Sequence, residues 1–251
     1  MKISVITSTF NSAKTVRDTF ESILRQTHTD IECIVVDGAS RDGTVDIIRE
    51  YESKFNGRMR WISEPDKGIY DAMNKGIKMA SGEIIGFLNS DDVFANQNIL
   101  RRIDTEIQNV DCIYGNLDFV EISSTSKIVR TWRGSPYTKG AFKRGWHPAH
   151  PTFYARKECY EKFGGYNTSL SVSADFELML RFLEKNNISN KFIPEVLVHM
   201  RMGGESTGSL KNILIGNKNI LKAFEINEIT PQRFYTFRRL IPKLINRIKH
   251  H

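Results

Sequence analysis

Residues Glu83–Asp92, "EIIGFLNSDD", form an apolar run that ends in two adjacent carboxylates. The apolar part has the length and composition of a buried β-strand. Asp91 and Asp92 follow it, and like charges that are held close together in a dry site repel each other. A bound Mg²⁺ or Mn²⁺ would remove this repulsion, because these cations take hard oxygen ligands. The pair could instead cap the next helix, since Asp is a good N-cap residue.

This run is the fourth strand in a regular alternation of strands and helices. Strands are predicted at residues 2–7, 31–38, 58–65 and 83–92, and helices at 12–26, 42–55, 68–81 and 96–109. Such an alternation gives a mainly parallel sheet with right-handed crossovers. The near-continuous apolar strands indicate helices on both faces of the sheet. The fold class is therefore α/β, with a Rossmann-like, nucleotide-binding first half.

The second half of the chain has a different pattern. Antiparallel strands are predicted at 111–122 and 127–134, and a strand, a helix and a last strand at 152–155, 175–186 and 191–200, before C-terminal helices. No proline-rich linker separates the halves. We expect one catalytic domain at 1–205, made of a nucleotide-binding half (1–110) and an acceptor-binding half (111–205), and a helical extension at 206–251.

Composition places the chain among ordinary globular proteins of a reducing compartment. It has 251 residues, of which 40% are hydrophobic and 26% charged, and this excludes disorder. Its three cysteines are far apart in sequence, which is typical of buried free thiols. No apolar stretch is long enough to span a membrane. We therefore expect a cytoplasmic protein, or one peripheral to the inner face of the cytoplasmic membrane.

The net charge is +7, and its densest part is the tail Arg233–His251. There Arg and Lys alternate with Phe, Leu and Ile, a pattern typical of a segment that lies on an anionic membrane surface. The alternative is a terminal helix with a solvated basic face, and the residues alone favour neither interpretation. Nothing else in the chain resembles a nucleic-acid-binding module, so no nucleic-acid partner is expected.

Polar side chains follow each of the four predicted parallel strands. In open α/β sheets, ligands bind at the carboxyl ends of the strands. The residues at these ends are Thr9, Phe10 and Asn11; Asp37; Asp66; and Asp91 with Asp92. The usual phosphate-binding glycine motifs are absent, because no GxGxxG follows the first strand and "GASRDGT" lacks the P-loop lysine. We therefore expect a divalent metal, Mn²⁺ or Mg²⁺, to meet the phosphates.

Four segments together resemble the family 2 glycosyltransferases of GT-A fold. They occur in the family's order and spacing, and the likeness covers about residues 1–200: "SVITSTFNSAKTVRDTFESILRQT", "VVDGASRDGT", "EPDKGIYDAMNKGIKMASGEIIGFLNSDD" and "HPTFYARKECYEKFGGYNTSLSVSADFELMLRF". The form "DKGIYDAMNKG" is similar to bacterial enzymes that build capsule, O-antigen and colanic-acid-type polysaccharides.

The resemblance implies roles for the strand-end residues in binding a nucleotide-sugar. The base contacts would be Thr9 and Asp37, with Phe10 and Asn11 nearby, while Asp66 and Lys75 would line the nucleotide and sugar cleft. Lys75 could also be a solvated helix lysine. "SDD" would be this chain's version of the DxD motif, beginning with Ser90 instead of Asp. In that motif Asp91 would face the ribose and Asp92 would bind the metal.

The family's general base maps onto Asp175 in "SADFELML", where Ala174 replaces the usual preceding Glu. An acceptor hydroxyl needs a carboxylate within hydrogen-bond reach to take its proton. The alternative is that Asp175 only caps the predicted helix. Glu177 is a competing carboxylate, but its spacing from Asp175 on a helix points it to a different face.

The remaining candidates belong to the acceptor side and to a closing loop. By the resemblance, His150 lies near the acceptor. The segment around residues 199–206 resembles a lid: Gly203 and Gly204 would form its hinge, and His199 or Arg201 would reach the metal or the diphosphate. The alternative is a plain strand-to-helix turn with Ser206 as the cap.

The resemblance implies an inverting, metal-dependent glycosyltransferase with a UDP-sugar donor and a saccharide acceptor of the polyprenol-linked kind used for surface polysaccharides. Two other classes of protein are the alternatives. A nucleotidyltransferase should carry a glycine-rich loop with Arg or Lys after the first strand, and "TSTFNSAK" lacks one. A non-catalytic, membrane-associated nucleotide-sugar-binding protein would leave Asp175 without a role.

Removal of Arg233–His251 is expected to weaken binding to liposomes that contain anionic lipid, because each Lys or Arg near such a surface contributes about 1 kcal/mol. Co-sedimentation would measure the bound fraction, with neutral liposomes as the control. Nucleotide affinity should stay the same. Equal liposome binding with and without the tail would reject the membrane interpretation.

Overall fold

The structure is a computed structural model that describes residues 1–202, 210–233 and 235. The strands of this part are β1 Ile3–Thr9, β2 Ile31–Asp37, β3 Met59–Ser63, β4 Ile84–Phe87, β5 Val93–Phe94, β6 Cys112–Glu121, β7 Ser124–Trp132, β8 Tyr154–Arg156 and β9 Asn190–Arg201. The helices are α1 Val16–Leu24, α2 Thr44–Lys54, α3 Ile69–Met79, α4 Ile99–Glu106, α5 Lys157–Phe163, α6 Ala174–Met179 and α7 Leu210–Ile226. A π-helical segment, Leu180–Lys185, continues α6.

These strands form one sheet in the order β3-β2-β1-β4-β8-β6-β9-β5, with β7 paired to β6 outside this path. The first four strands are parallel, as the alternating pattern predicts. Strand β8 joins the two halves, because it pairs antiparallel with both β4 and β6. The predicted antiparallel element is the β6–β7 hairpin, and β6 also pairs parallel with β9. The second half therefore extends the same sheet.

Helices cover both faces of the sheet, which explains the continuous apolar strands. In β2, Cys33 and Val35 face the core under α1 and α2, whereas Ile34 and Val36 face the core under α3. Successive residues of a strand point to opposite faces, so a strand buried on both sides needs apolar residues throughout. All seven residues of β2 are buried.

The centre of the sheet depends on a glycine. A Cβ atom at Gly86 in β4 would lie 1.9 Å from the aromatic ring of Tyr154 in β8. The backbone of β4 is therefore covered directly by this ring, and the position accepts no larger residue without a shift of the ring. The apolar run before the carboxylates contains a glycine for this reason.

Several predicted elements differ in extent from the observed ones. The fourth strand ends at Phe87, and a two-residue strand, β5, follows the carboxylates and pairs with β9. The helix predicted at 96–109 is the shorter α4, and the helix predicted at 175–186 consists of α6 and the π-helical segment. The three cysteines are free and buried, as expected. Among the helices in the described ranges, none has both the length and the apolar character needed to cross a membrane.

Candidate active site

Asp37 holds the carboxyl ends of three parallel strands together. Its side chain is fully buried, and it accepts hydrogen bonds from the hydroxyl groups of Thr9 (2.8 Å) and Ser63 (2.7 Å). The N–H and the hydroxyl of Ser40 also donate to it, at 2.9 and 2.5 Å. Thr9 ends β1, Asp37 ends β2 and Ser63 ends β3. This carboxylate therefore fixes the edge at which a ligand of an open α/β sheet binds.

The loops after β1 and β2 are linked to each other above this carboxylate. The N–H of Asn11 donates to the hydroxyl of Ser40 (2.8 Å), and the N–H of Arg41 donates to Oδ1 of Asn11 (3.0 Å). Asn11 has a φ of 50°, a left-handed conformation that Asn tolerates better than most residues. The ring of Phe10 is 65% exposed beside this link. An exposed aromatic face at the strand ends offers a stacking surface to a nucleobase.

The loop after β3 packs against the same edge. A Cβ atom at Gly38 would lie 2.8 Å from Oδ2 of Asp66, so the absence of a side chain allows the two loops to touch. The other oxygen of Asp66 accepts the N–H of Gly68, at the start of α3 (2.8 Å). Nζ of Lys75 lies 2.8 Å from Oε1 of Glu64. Lys75 thus stabilises the loop that carries Asp66.

The two carboxylates after β4 occupy different environments. Asp92 is fully buried: one of its oxygens accepts from the amide of Asn89 (3.1 Å) and the other from the N–H of Arg201 (3.3 Å). Asp91 is only partly buried. Burial and the charge of Asp91 raise the pKa of Asp92 well above its usual range, and burial also raises the pKa of Asp91. The more accessible carboxylate of the pair is therefore Asp91.

Arg201 is the residue that fixes this turn. Its guanidinium donates to the carbonyl of Asp91 (2.7 Å) and, through Nε, to the carbonyl of Ile122 in the β6–β7 hairpin (3.2 Å). It also forms an ion pair with Asp18 of α1. Because Arg201 is only 6% exposed, its contacts are with the protein in this conformation.

Of the other residues predicted for the lid and the metal, the structure describes His199 but not Gly203 and Gly204. Nε2 of His199 lies 3.8 Å from Oδ2 of Asp118 on β6. Asp118 also accepts a hydrogen bond from the hydroxyl of Thr131 (2.6 Å). Gly203 and Gly204 lie outside the described residues.

Asp175 and Glu177 are clearly distinguished by their partners. Oδ1 of Asp175, in the first turn of α6, accepts a hydrogen bond from the hydroxyl of Tyr70 (3.1 Å). Glu177 is buried and receives two hydrogen bonds of 3.0 Å from Arg181 and one of 2.9 Å from Asn227. Glu177 is thus bound in an ion pair within the fold, whereas Asp175 has a neutral partner.

His150 lies in the aromatic layer behind Asp175. Its Nε2 is 2.6 Å from the hydroxyl of Tyr166, and its ring stacks on Phe87 at 5.6 Å. Burial lowers the pKa of His150, although the charge of Asp175 opposes this effect. Tyr166 in turn stacks on Tyr70 at 5.5 Å. His150 therefore contacts the surroundings of Asp175 through Tyr166.

Comparison with known proteins identifies the family. The model of "Glycosyl transferase family 2" matches residues 4–162. A PGL/p-HBAD biosynthesis glycosyltransferase of Mycobacterium tuberculosis is 29% identical over 223 residues, which cover 87% of this chain and 82% of the relative. Another glycosyltransferase of the same species is 32% identical over 186 residues, covering 71% and 68% of the two chains. This chain belongs to glycosyl transferase family 2.

Solved structures confirm the GT-A fold of this family 2 glycosyltransferase. TarS of S. aureus has a TM-score of 0.68 at 19% identity, and the match covers 95% of this chain but only 41% of TarS. TarS 1–349 in complex with UDP-GlcNAc has a TM-score of 0.70 at 19% identity, over 95% of this chain and 69% of that chain. The mannosyltransferase PcManGT from Pyrobaculum calidifontis, in complex with GDP-Man and Mn²⁺, has a TM-score of 0.65 at 18% identity, over 89% and 63%.

The carboxylates at the strand ends of this family 2 enzyme suit a divalent metal that protein and substrate hold together. They do not suit a metal that is held by protein side chains alone. Within residues 1–202, 210–233 and 235, no group of three or more His, Cys, Asp and Glu side chains could hold a metal ion by itself. Mg²⁺-type sites at phosphates usually take only one or two carboxylates from the protein, together with oxygens of the substrate. The partly buried Asp91 carboxylate beside Asp92 has this character.

A groove of about 610 Å³ lies between α3 and α5. Asp71, Asn74, Lys157 and Gly165 are among the residues that line it, and the predicted site residues within the described ranges are not. Because ligands of open α/β sheets bind at the carboxyl ends of the strands, we assign the chemistry to the strand ends.

Sequence reasoning missed Tyr70 and Asp18. Tyr70 and Asn74 are four residues apart in "GIYDAMNKG" and so lie on one face of α3. That spacing was visible in the sequence, but only the structure shows that this face contacts the segment at Tyr166. The ion pair between Asp18 and Arg201 joins residues 183 positions apart, and neither residue has a local signal for it.

The raised pKa of Asp92 leads to a stability prediction. The native state holds this proton more tightly than the unfolded chain, so native stability falls as the pH rises from the usual Asp pKa towards the raised value. In metal-free buffer at neutral pH, Asp92→Asn should therefore raise the free energy of unfolding. A gain of about 1 kcal/mol would correspond to about 2–4 °C in Tm for a chain of this size.

Thermal unfolding with a chelator present would measure the gain, which should vanish near about pH 4, where an ordinary Asp titrates. Asp46→Asn is the matched control, since Asp46 is 81% exposed and should show no such gain. A gain that is equally large at both pH values would contradict the assignment.

Proposed function

We propose that this family 2 enzyme is an inverting, metal-dependent glycosyltransferase that moves a sugar from a UDP-sugar to a hydroxyl group of a saccharide acceptor. The observation that carries this proposal is the contrast between Asp175, which has a neutral hydrogen-bond partner, and Glu177, which is neutralised by Arg181. A single displacement needs one general base on the acceptor side and no carboxylate nucleophile. Asp175 would take the proton of the attacking hydroxyl, and the displacement would invert the anomeric carbon.

The strand ends would bind the nucleotide. We place the base against Phe10 and Asn11, above the link between Thr9 and Asp37, since this is the polar and aromatic part of the edge. Asp66, in the loop stabilised by Lys75, would follow along the ribose and sugar. Solved complexes of TarS contain UDP and UDP-GlcNAc, and that of PcManGT contains GDP-Man. The UDP-bound complexes of TarS support a uridine nucleotide as the donor's base.

Asp91 would hold the divalent metal, whereas the DxD resemblance implies that role for Asp92. Both oxygens of Asp92 accept hydrogen bonds inside the protein, while Asp91 is partly accessible, and this supports Asp91 as the ligand. Asp92 would then fix the turn. When bound, the ion would offset the negative charge of the diphosphate leaving group. His199 stays a candidate ligand on the neighbouring strand β9.

The acceptor and the location belong to the proposal as well. A polyprenol-linked saccharide acceptor of surface polysaccharide synthesis would suit an enzyme whose basic tail, Arg233–His251, binds an anionic membrane surface. Because Arg201 is anchored to Asp18 and Ile122, we place any closing movement after it, at Gly203 and Gly204. Closure would exclude water from the donor. Membership of family 2 argues against the nucleotidyltransferase alternative.

Asp175→Asn should retain donor binding and lose the chemical step, because an amide cannot accept the proton. General-base catalysis contributes about 10²–10⁴-fold, so turnover should fall by about that factor. UDP release would be measured with UDP-glucose, UDP-galactose and UDP-GlcNAc as donors, and donor affinity by calorimetry. Normal turnover in this variant would place the base elsewhere.

Glu177→Gln is the matched control for Asp175→Asn. Loss of one partner of a buried ion pair costs about 3–5 kcal/mol of stability. The native fraction of this variant should nevertheless keep its turnover, because Glu177 is assigned no catalytic role. A stable Glu177→Gln variant without turnover would favour Glu177 as the base.

Metal dependence is tested by calorimetry with UDP and Mn²⁺. UDP should bind more weakly without Mn²⁺, and Asp91→Asn should weaken Mn²⁺-dependent binding about tenfold or more, since it removes the charged ligand. Asp92→Asn should have the smaller effect. The opposite ranking of the two variants would restore the order implied by the DxD resemblance, and UDP binding that is independent of Mn²⁺ would reject the metal.

A further inference from the structure

We propose that Tyr70 is a positioning residue that orients the carboxylate of Asp175 and couples it to the donor-binding edge. This inference rests on the proposed role of Asp175 as the general base. The Tyr70 hydroxyl donates to Oδ1 of Asp175 at 3.1 Å. One fixed oxygen leaves Oδ2 to receive the proton of an acceptor hydroxyl, because an ionised carboxylate accepts at both oxygens.

The same hydroxyl lies at the beginning of α6. Burial raises the pKa of Tyr70, and the backbone N–H groups of Asp175 and Ala174 oppose this effect. The helix has no side-chain cap of its own: Ser173, at the N-cap position, has a φ of 67° and makes no capping hydrogen bond. The hydrogen bond from Tyr70 is therefore a contact from another helix to the side chain of Asp175 in this first turn.

A neutral hydrogen-bond donor can orient a general base while leaving its negative charge intact, whereas a charged donor offsets that charge. Burial and the negative charge of Asp175 raise the pKa of Tyr70 above its ordinary value, so the phenol keeps its proton at neutral pH. It can orient the carboxylate without offsetting its negative charge. Glu177, two residues after Asp175, is instead neutralised by Arg181. The two carboxylates of α6 are thus given different chemistry by their partners.

Tyr70 is itself held from two directions on the acceptor side. Its ring stacks on Tyr166 at 5.5 Å. One turn further along α3, Asn74 donates to the carbonyl of Tyr166 (2.9 Å) and accepts its N–H (2.8 Å). A Cβ atom at Gly165 would lie 2.3 Å from Oδ1 of Asn74, so a glycine permits this contact. The face of α3 that carries Tyr70 and Asn74 is therefore docked firmly on the acceptor half.

The other end of this connection is the donor-binding edge. Asp66 accepts the N–H of Gly68, the residue immediately before α3, and Tyr70 is the second residue of that helix. Asp66, in the loop at the strand ends, is thus only four positions from Tyr70, the residue that orients the proposed base. A displacement of this loop by a bound nucleotide-sugar would be transmitted to Asp175 through Tyr70.

The test compares Tyr70→Phe with Tyr160→Phe in the full chain. Tyr160 is a buried tyrosine of the same core whose hydroxyl has no hydrogen-bond partner in the part of the chain that the structure describes. UDP release from the best donor among UDP-glucose, UDP-galactose and UDP-GlcNAc gives kcat. Calorimetry gives the donor Kd, and thermal unfolding gives Tm.

Tyr70→Phe should lower kcat about tenfold, the size expected when one hydrogen bond to a charged group is lost. The donor Kd should stay the same, and Tyr160→Phe should leave all three quantities unchanged. In an Asp175→Asn background, Tyr70→Phe should cause no further loss, because residues that act through one another are not additive.

Two results would overturn the inference. One is a kcat for Tyr70→Phe equal to that of Tyr160→Phe. The other is a loss of kcat that is matched by a loss of donor affinity, as a purely structural role of Tyr70 would give. Full turnover by Asp175→Asn would instead show that the proposed base is wrong. Because Asp175→Asn and Tyr70→Phe are measured separately, this result is distinguishable from an unchanged kcat in Tyr70→Phe.

Discussion

Two adjacent carboxylates at the end of a buried strand can be kept in place only where nearby donors offset their loss of water. Asp92 meets this condition with both oxygens, through Asn89 and the backbone N–H of Arg201. The guanidinium of Arg201 then holds the carbonyl of Asp91 and the carboxylate of Asp18. A single residue at the end of β9 thereby ties the turn at Asp91 and Asp92 to α1 and to the β6–β7 hairpin. The donor half cannot assume this arrangement without the last strand of the acceptor half.

The acceptor half has a comparable buried ion pair of its own. Arg181 binds Glu177 and also donates to the carbonyl groups of Gly164 (2.8 Å) and Gly165 (2.6 Å). Those residues precede Tyr166, the residue that Asn74 holds. Removal of one partner from such a pair leaves an uncompensated charge in the interior. Glu177 is thus neutralised within the fold by Arg181, although it is only two residues from Asp175.

The sequence predicted best those features of the fold and site that depend on residues close together in the chain. Alternating strands and helices, apolar runs buried on two faces and polar residues at strand ends all depend on neighbours within one element, and the structure has them. The partners of Arg201 were not predictable, because Asp18 and Ile122 are distant in sequence and the contact depends on β5 pairing with β9. The insertion of β8 between β4 and β6 is non-local in the same way. Which of two adjacent aspartates is accessible depends on side-chain burial, and a motif does not contain that information.

The proposed assignment of Asp91 as a metal ligand has a consequence for how substrates would bind, because few protein groups would coordinate the ion. A cation held by one or two carboxylates needs further oxygens, and in the proposed reaction the diphosphate provides them. Burial raises the pKa of both aspartates, so the ionised pair is unfavourable until a cation is present. A cation and a diphosphate that complete each other's coordination must raise each other's affinity by the same factor. The negative charge of the two aspartates would therefore disfavour a diphosphate alone and favour its binding together with a cation. On this proposal, the cation and the nucleotide-sugar would bind together at the strand ends beside α3. Tyr70 would then transmit this binding to Asp175.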